Sequence, residues 1–174
     1  PVQILLVNLV TDGLPAIALG VEPPEKDIMN HPPRKSTEGF FSGGLMWKII
    51  FRGIFIGLST LASFTTVMRL GGSLEASRTA ALITLVMSQL IHVFECRSEH
   101  RSIFRMNPFG NMKLVLAVAV SFAALAAAVM LPQLQTVFET VSLNSNELLT
   151  AFGFSAAVPL MSNIFGSLSE KRKK

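Results

Sequence analysis

Leu114 to Phe138 runs without a single charged side chain, and that run limits the possible folds more than any other feature of the chain. About 20 consecutive apolar residues, rising 1.5 Å each in a helix, cross the hydrocarbon core of a bilayer. The centre of the run, FAALAAAVM, joins good helix formers to small side chains that admit close neighbours. It is the cleanest of five apolar stretches, at 1–20, 45–70, 79–96, 113–132 and 148–168, each about the length of a span. They predict an all-α polytopic membrane protein with five transmembrane helices in a bundle. Composition agrees: half of the 174 residues are hydrophobic, 15% are charged, and mean hydropathy is +0.51, outside the range of an ordinary soluble domain.

Net charge is +4, which in a soluble protein raises the question of nucleic acid. Nucleic-acid binding needs a basic face, often with aromatics for stacking, whereas here Lys and Arg fall in the gaps between apolar runs. No nucleic-acid partner is expected; the partner is the lipid bilayer. Residues 21–44, 97–112 and 169–174 carry Lys26, Arg34, Lys35, Arg97, Arg101, Arg105 and the terminal KRKK, with Lys48, Arg52 and Lys113 flanking the same side. The connections at 71–77 and 133–147 hold neither Lys nor Arg. The positive-inside rule therefore places 21–44, 97–112 and the C-terminus in the cytosol, with the first helix entering from outside. Lys48 and Arg52, one helical turn apart, are expected to snorkel to the headgroups.

The 21–44 stretch, with four prolines and three glycines, excludes a continuous helix and predicts a turn-rich cytosolic loop, either a linker or a docking strap for a cytosolic domain. The 132–147 stretch is polar, and Ser145 or Asn146 is the expected cap of the last helix. A single cysteine, Cys96, leaves no internal disulfide framework. With no initiator Met and no cleavable leader, Pro1 reads as a cut end within an apolar stretch.

The first apolar stretch contains NLVTDGLP. On an α-helix Asn8, Thr11 and Asp12 fall at i, i+3 and i+4 and share a face, offering an amide, a hydroxyl and a carboxylate. Gly13 and Pro15 weaken that helix, because Gly lowers helix stability and Pro15 cannot donate to the carbonyl of Thr11. An ionised Asp at membrane depth costs at least ~2.5–3.5 kcal/mol, and such residues line pathways or find partners. Three readings follow: a hard-cation site drawing on side-chain and backbone oxygens, a proton relay, and a Pro-kinked helix whose polar groups satisfy one another. The residues alone do not choose among them.

Gln89, beside Ser88 and one turn before His92, offers a further carbonyl oxygen or an interhelical hydrogen bond. One His without a Cys cluster is a poor metal signal, so His92 is expected to pack, and Glu95 to pair with Arg97 or meet water. Scattered Met residues fit packing better than a copper path. No Walker loop, nucleophile elbow or HExxH occurs, and no polar stretch is long enough to fold a nucleotide-binding domain. The chain by itself is expected to hold no catalytic or cofactor-binding residue.

QILLVNLVTDGLPAIALGVEPPEKDIMNHPPR resembles the sixth membrane helix and following cytosolic loop of the P-type cation-transporting ATPases of the calcium-pump type. SEHRSIFRMNP at 98–108 is similar to the segment between their eighth and ninth helices. The resemblance covers nearly the whole chain as helices six to ten. It implies that Asn8 and Asp12 coordinate transported Ca²⁺, that Thr11 is a ligand of the other site, and that Gly13 and Pro15 belong to an unwound stretch. Gln89 stands where two-site pumps carry Glu, a departure that points to a single-ion, secretory-pathway-like or bacterial pump in a prokaryotic cell membrane. Mn²⁺ suits the same oxygens. The remaining ligands, the actuator, the ATP- and Mg²⁺-dependent nucleotide-binding domain and the phosphorylated Asp of DKTGT would lie in the N-terminal part of the same pump. A secondary cation or proton-coupled transporter and a non-catalytic membrane scaffold are the alternative classes.

Overall fold

The computed structural model describes residues 2–23, 29, 39, 45–97 and 108–171, without the side chains of Asp12, Pro108 and 160–171. Most of the 21–44 loop, the 98–107 part of the second resemblance motif and the last three residues of the basic tail lie outside this description. Every regular element among the described residues is helical. Among the described residues four helices are long and apolar enough to span a membrane: α1 (Val2–Gly20), α2 (Leu45–Arg69), α3 (Leu74–Glu95) and α4 (Met112–Met130). A short helix, α5 (Pro132–Phe138), and a long one, α6 (Ser145–Lys171), follow. The fifth expected span, 148–168, falls within α6, whose 27 residues exceed the length a bilayer needs.

Local chemistry sets the helix ends. Helix α2 stops where Gly71 adopts φ +86, and the Gly71 and Gly72 amides donate to the carbonyls of Met68 and Val67 at 3.2 and 3.0 Å, a Schellman arrangement. Ser73 then caps α3 by accepting from the Ala76 amide at 3.0 Å, so α3 begins earlier than the 79 expected from hydropathy. Helix α4 is capped by Asn111, whose Oδ1 accepts from the Leu114 amide at 3.0 Å. Pro132 opens α5, a helix that polarity alone did not reveal in 132–147, and Glu139 in the left-handed region ends it. The cap of α6 is Asn144 rather than Ser145 or Asn146. Asn144 Oδ1 accepts from the Glu147 amide at 3.0 Å and Glu147 Oε2 accepts from the Asn144 amide at 2.9 Å, a reciprocal capping box.

Helix α3 is the hub: half of its span is buried, against 6% of the α2 span. It packs against α2, α6 and α4, and the segment at the middle of α1 touches α3 and α4. The core gathers Val10 of α1, Val86 and Leu90 of α3, Leu125 and Ala128 of α4, and Ala151 of α6. Hydroxyls stitch the helices: buried Thr84 of α3 donates to Ser63 of α2 at 2.8 Å, and half-buried Ser59 of α2 to the Phe154 carbonyl of α6 at 2.7 Å. In hydrocarbon such bonds substitute for water that cannot reach these groups.

Candidate functional site

The centre of α1 departs from the α-helix. Val2–Val7 and Leu14–Gly20 are α-helical, while Asn8–Gly13, the NLVTDG stretch, is a π-helix. Its flanking residues keep right-handed dihedrals (Val7 φ −56, ψ −54; Leu14 φ −64, ψ −46), so the stretch read as unwound stays helical in a wider i→i+5 register. Gly13 and Pro15 explain the location: one tolerates the distortion, and the other removes the amide that would close an α-turn on Thr11.

The wider turn divides the face expected of a regular α-helix. Asn8 is exposed on the outer surface, whereas Thr11 is 8% exposed and its Oγ1 donates to the Val7 carbonyl at 2.7 Å. Lengthening each turn carries the i+3 residue away from residue i, while i+4 stays close to it. By that geometry Thr11 does not share the face of Asn8. The Asp12 side chain lies outside the described residues. Gln89 sits on α3, the helix that touches the π segment, and its Oε1 is buried with no hydrogen-bond partner among the described residues; so is Ser88 Oγ. The interhelical bond offered for Gln89 is therefore not made by that oxygen here, which leaves a buried acceptor unmet, a costly arrangement unless a donor or cation meets it.

Two polar clusters lie at the end of the bundle shared by Gly20, Glu95 and Met112. In the first, Glu95 is 7% exposed and pairs with Arg52 Nη2 at 3.3 Å and with His92 Nδ1 at 3.1 Å. Arg52 thus pairs with a buried acid. Glu95 takes Arg52 and His92 in place of the expected Arg97, because the last turn of α3 points it at α2. His92 does more than pack, since its Nε2 also lies 3.5 Å from Cys96 Sγ. In the second cluster, Arg97 grips Glu22 with Nε and Nη2, both 2.8 Å from Oε1, and Asn111 Nδ2 reaches Glu22 Oε2 at 2.6 Å and the Ala18 carbonyl at 3.0 Å. Burial pushes the Glu22 carboxyl up, but the hydrogen bonds from Arg97 and Asn111 and the guanidinium charge outweigh it and hold it below 4.5.

Helix α1 is fastened at three heights. Gln3 Nε2 donates to the Phe138 carbonyl of α5 at 2.8 Å, Ser121 Oγ of α4 to the Val10 carbonyl at 2.5 Å, and Asn111 holds the Ala18 carbonyl at the other end. Sequence reasoning passed over all three. The available signal was Ser121, the only polar side chain between Leu114 and Met130. Among the described residues no group of three or more His, Cys, Asp or Glu is placed to hold a metal. What α1 offers chemically is oxygen: the Asn8 amide, the Thr11 hydroxyl, and backbone carbonyls loosened from the α-ladder, donors suited to hard cations.

Comparison with known proteins places this geometry in a family. The profile described as "Cation transporting ATPase, C-terminus" matches residues 1–167. The chain is 44% identical over 174 residues to a calcium-transporting ATPase of Bacillus subtilis, covering 99% of this chain and 19% of that protein. It is 35% identical to a calcium-transporting ATPase of Listeria monocytogenes (97% of this chain, 19% of the relative) and 34% identical to calcium-transporting ATPase 1 of Bacillus cereus (98% and 21%). The chain thus spans about a fifth of the length of the curated relatives it matches. With its apolar spans, its broken first helix and a family match along nearly its whole length, the chain belongs to the cation-transporting ATPases, as their C-terminal membrane part.

Proposed function

We propose that this chain works as the C-terminal transmembrane part of an ATP-driven Ca²⁺ pump, supplying ion ligands from α1 and bracing the transport core with α2 to α6. The observation that carries the reading is the π-helical break confined to Asn8–Gly13 inside an apolar span. A membrane helix gives up its regular ladder at a cost, and such breaks line cavities or bind ions. Asn8 and Asp12 are the proposed ligands, Thr11 contributes its remaining lone pair or its carbonyl, and Gly13 and Pro15 maintain the break. Gln89, whose Oε1 is a buried acceptor, is the proposed donor from α3.

Ca²⁺ is the proposed cargo because the relatives are named for it and because the donors are hard oxygens; Mn²⁺ would use the same set. ATP hydrolysis with Mg²⁺ belongs to the N-terminal part of the parent pump. In this reading the end of the bundle with Glu22, Arg97 and Asn111 faces the cytosol of a prokaryotic cell, and the 21–44 loop meets the phosphorylation domain.

In the full-length pump, Asp12→Asn is expected to abolish calcium-activated ATP hydrolysis, because an amide cannot neutralise the cation. Gln89→Ala is expected only to weaken it. Calcium-dependent phosphoenzyme formation that survives Asp12→Asn would sink the reading.

A further inference from the structure

We propose that Ser121 of α4 is a positioning residue for the ion site, its hydroxyl standing in for the backbone N–H that Pro15 lacks and so fixing the π register of Asn8–Gly13. In an i→i+5 register each carbonyl looks to the amide five residues on. For Val10 that residue is Pro15, which has no N–H. The amide an α-register would offer Val10, that of Leu14, serves the Leu9 carbonyl in the wider register. In that register the Val10 carbonyl has no backbone amide to meet, and Val10 is buried in the core where no water replaces the lost donor. Ser121 Oγ lies 2.5 Å from that carbonyl and the residue is 1% exposed. It approaches from a different helix, 111 positions along the chain.

The consequence concerns the ligands. With the Val10 carbonyl held by α4, sliding back toward an α-register would hand that carbonyl to the Leu14 amide, but it would take from the buried Ser121 hydroxyl its acceptor and leave Thr11 facing Pro15, which has no N–H. The path of the Asn8–Gly13 backbone and its carbonyls is thereby set before an ion arrives, which favours affinity by lowering the ordering cost. Ser121 touches no cargo; it acts through Val10.

This inference rests on the proposed ion site, and the test separates the two. In the full-length pump, Ser121→Ala is expected to raise the Ca²⁺ concentration for half-maximal ATP hydrolysis about tenfold, the worth of one buried hydrogen bond, with maximal rate retained. Ser121→Thr, which keeps the hydroxyl, is expected to restore wild-type affinity. In a Pro15→Ala background, where residue 15 regains an N–H, Ser121→Ala is expected to have no further effect. Without Ca²⁺, amide exchange across residues 8–16 is expected to speed up in Ser121→Ala and not in Ser121→Thr. Wild-type Ca²⁺ dependence and exchange in Ser121→Ala, or an equal penalty in both Pro15 backgrounds, overturns the inference. So does a fall in maximal rate with unchanged affinity, since that marks general destabilisation. If Asp12→Asn leaves Ca²⁺ activation intact, the ion site itself fails, and the exchange measurement alone decides whether Ser121 holds the break.

Discussion

Helices α1 and α2 are both apolar enough to span a membrane, yet they are held in opposite ways. Helix α2 is an unbroken 25-residue α-helix that satisfies its own backbone, buries only Ile56, Ser63 and Val67, and turns most of its apolar surface outward. Helix α1 is broken by a π segment and has carbonyls bound by side chains from elsewhere, Ser121 at Val10 and Asn111 at Ala18. A helix with a complete ladder needs its neighbours only for packing. A helix that surrenders ladder bonds to expose oxygen needs neighbours that supply donors, and here α4 supplies them. The difference separates a bracing helix from a working one, and it assigns α4 to the working side despite its featureless, Ala-rich sequence.

That contrast can be broken or sharpened by substitution. The largest stability loss is expected from Asn111→Ala, which removes the α4 cap, the bond to the Ala18 carbonyl and the bond to Glu22 together. About 1 kcal/mol for the cap and a similar amount for a buried hydrogen bond predict a loss of about 2–3 kcal/mol. Thermal unfolding of the full-length protein in detergent measures it, and an unchanged midpoint would mean that α1 does not depend on α4 at this end.

Glu22→Gln comes next, at about 1 kcal/mol or less, because this pair is partly open to solvent. Its pH dependence has a defined sign. The carboxyl is held below 4.5 in the folded protein, so its stabilisation is fully present above that value and is lost as pH falls through the lowered pKa. The gap in unfolding midpoint between wild type and Glu22→Gln should therefore be widest near neutrality and close in acid. A gap that grows on acidification contradicts the assignment.

The smallest effect is expected on the bracing side. Thr84→Val removes the hydroxyl shared with Ser63 between α3 and α2 while keeping its shape. Membrane-interior hydrogen bonds of this kind average ~0.6 kcal/mol. A shift in unfolding midpoint as large as that of Asn111→Ala would erase the distinction between the two halves.

Much of this architecture was legible in the chain. Hydropathy marks each span because the bilayer demands a length of apolar residues that little else requires, and Gly13 with Pro15 marks the break because both act on the local backbone. NLVTDGLP and its neighbours carry the family resemblance, which the match over residues 1–167 supports. The form of the break was not legible, since Gly and Pro weaken a helix without choosing between an open strand and an i→i+5 turn. The choice separated Thr11 from the face it would share with Asn8 on a regular helix.

Pairing was the other part hidden from sequence. Proximity along the chain joins Glu95 to Arg97, whereas the bundle gives Glu95 to Arg52 and joins Arg97 to Glu22, 75 residues away. Local composition and periodicity by themselves determined that the chain carries helices apolar enough to cross a membrane and which one is weakened, because those properties depend on a residue and its nearest neighbours. Only tertiary structure decided which carbonyl Ser121 would hold and which acid each arginine would meet. Those partners come from different helices, and their meeting depends on how the helices turn and stack once packed.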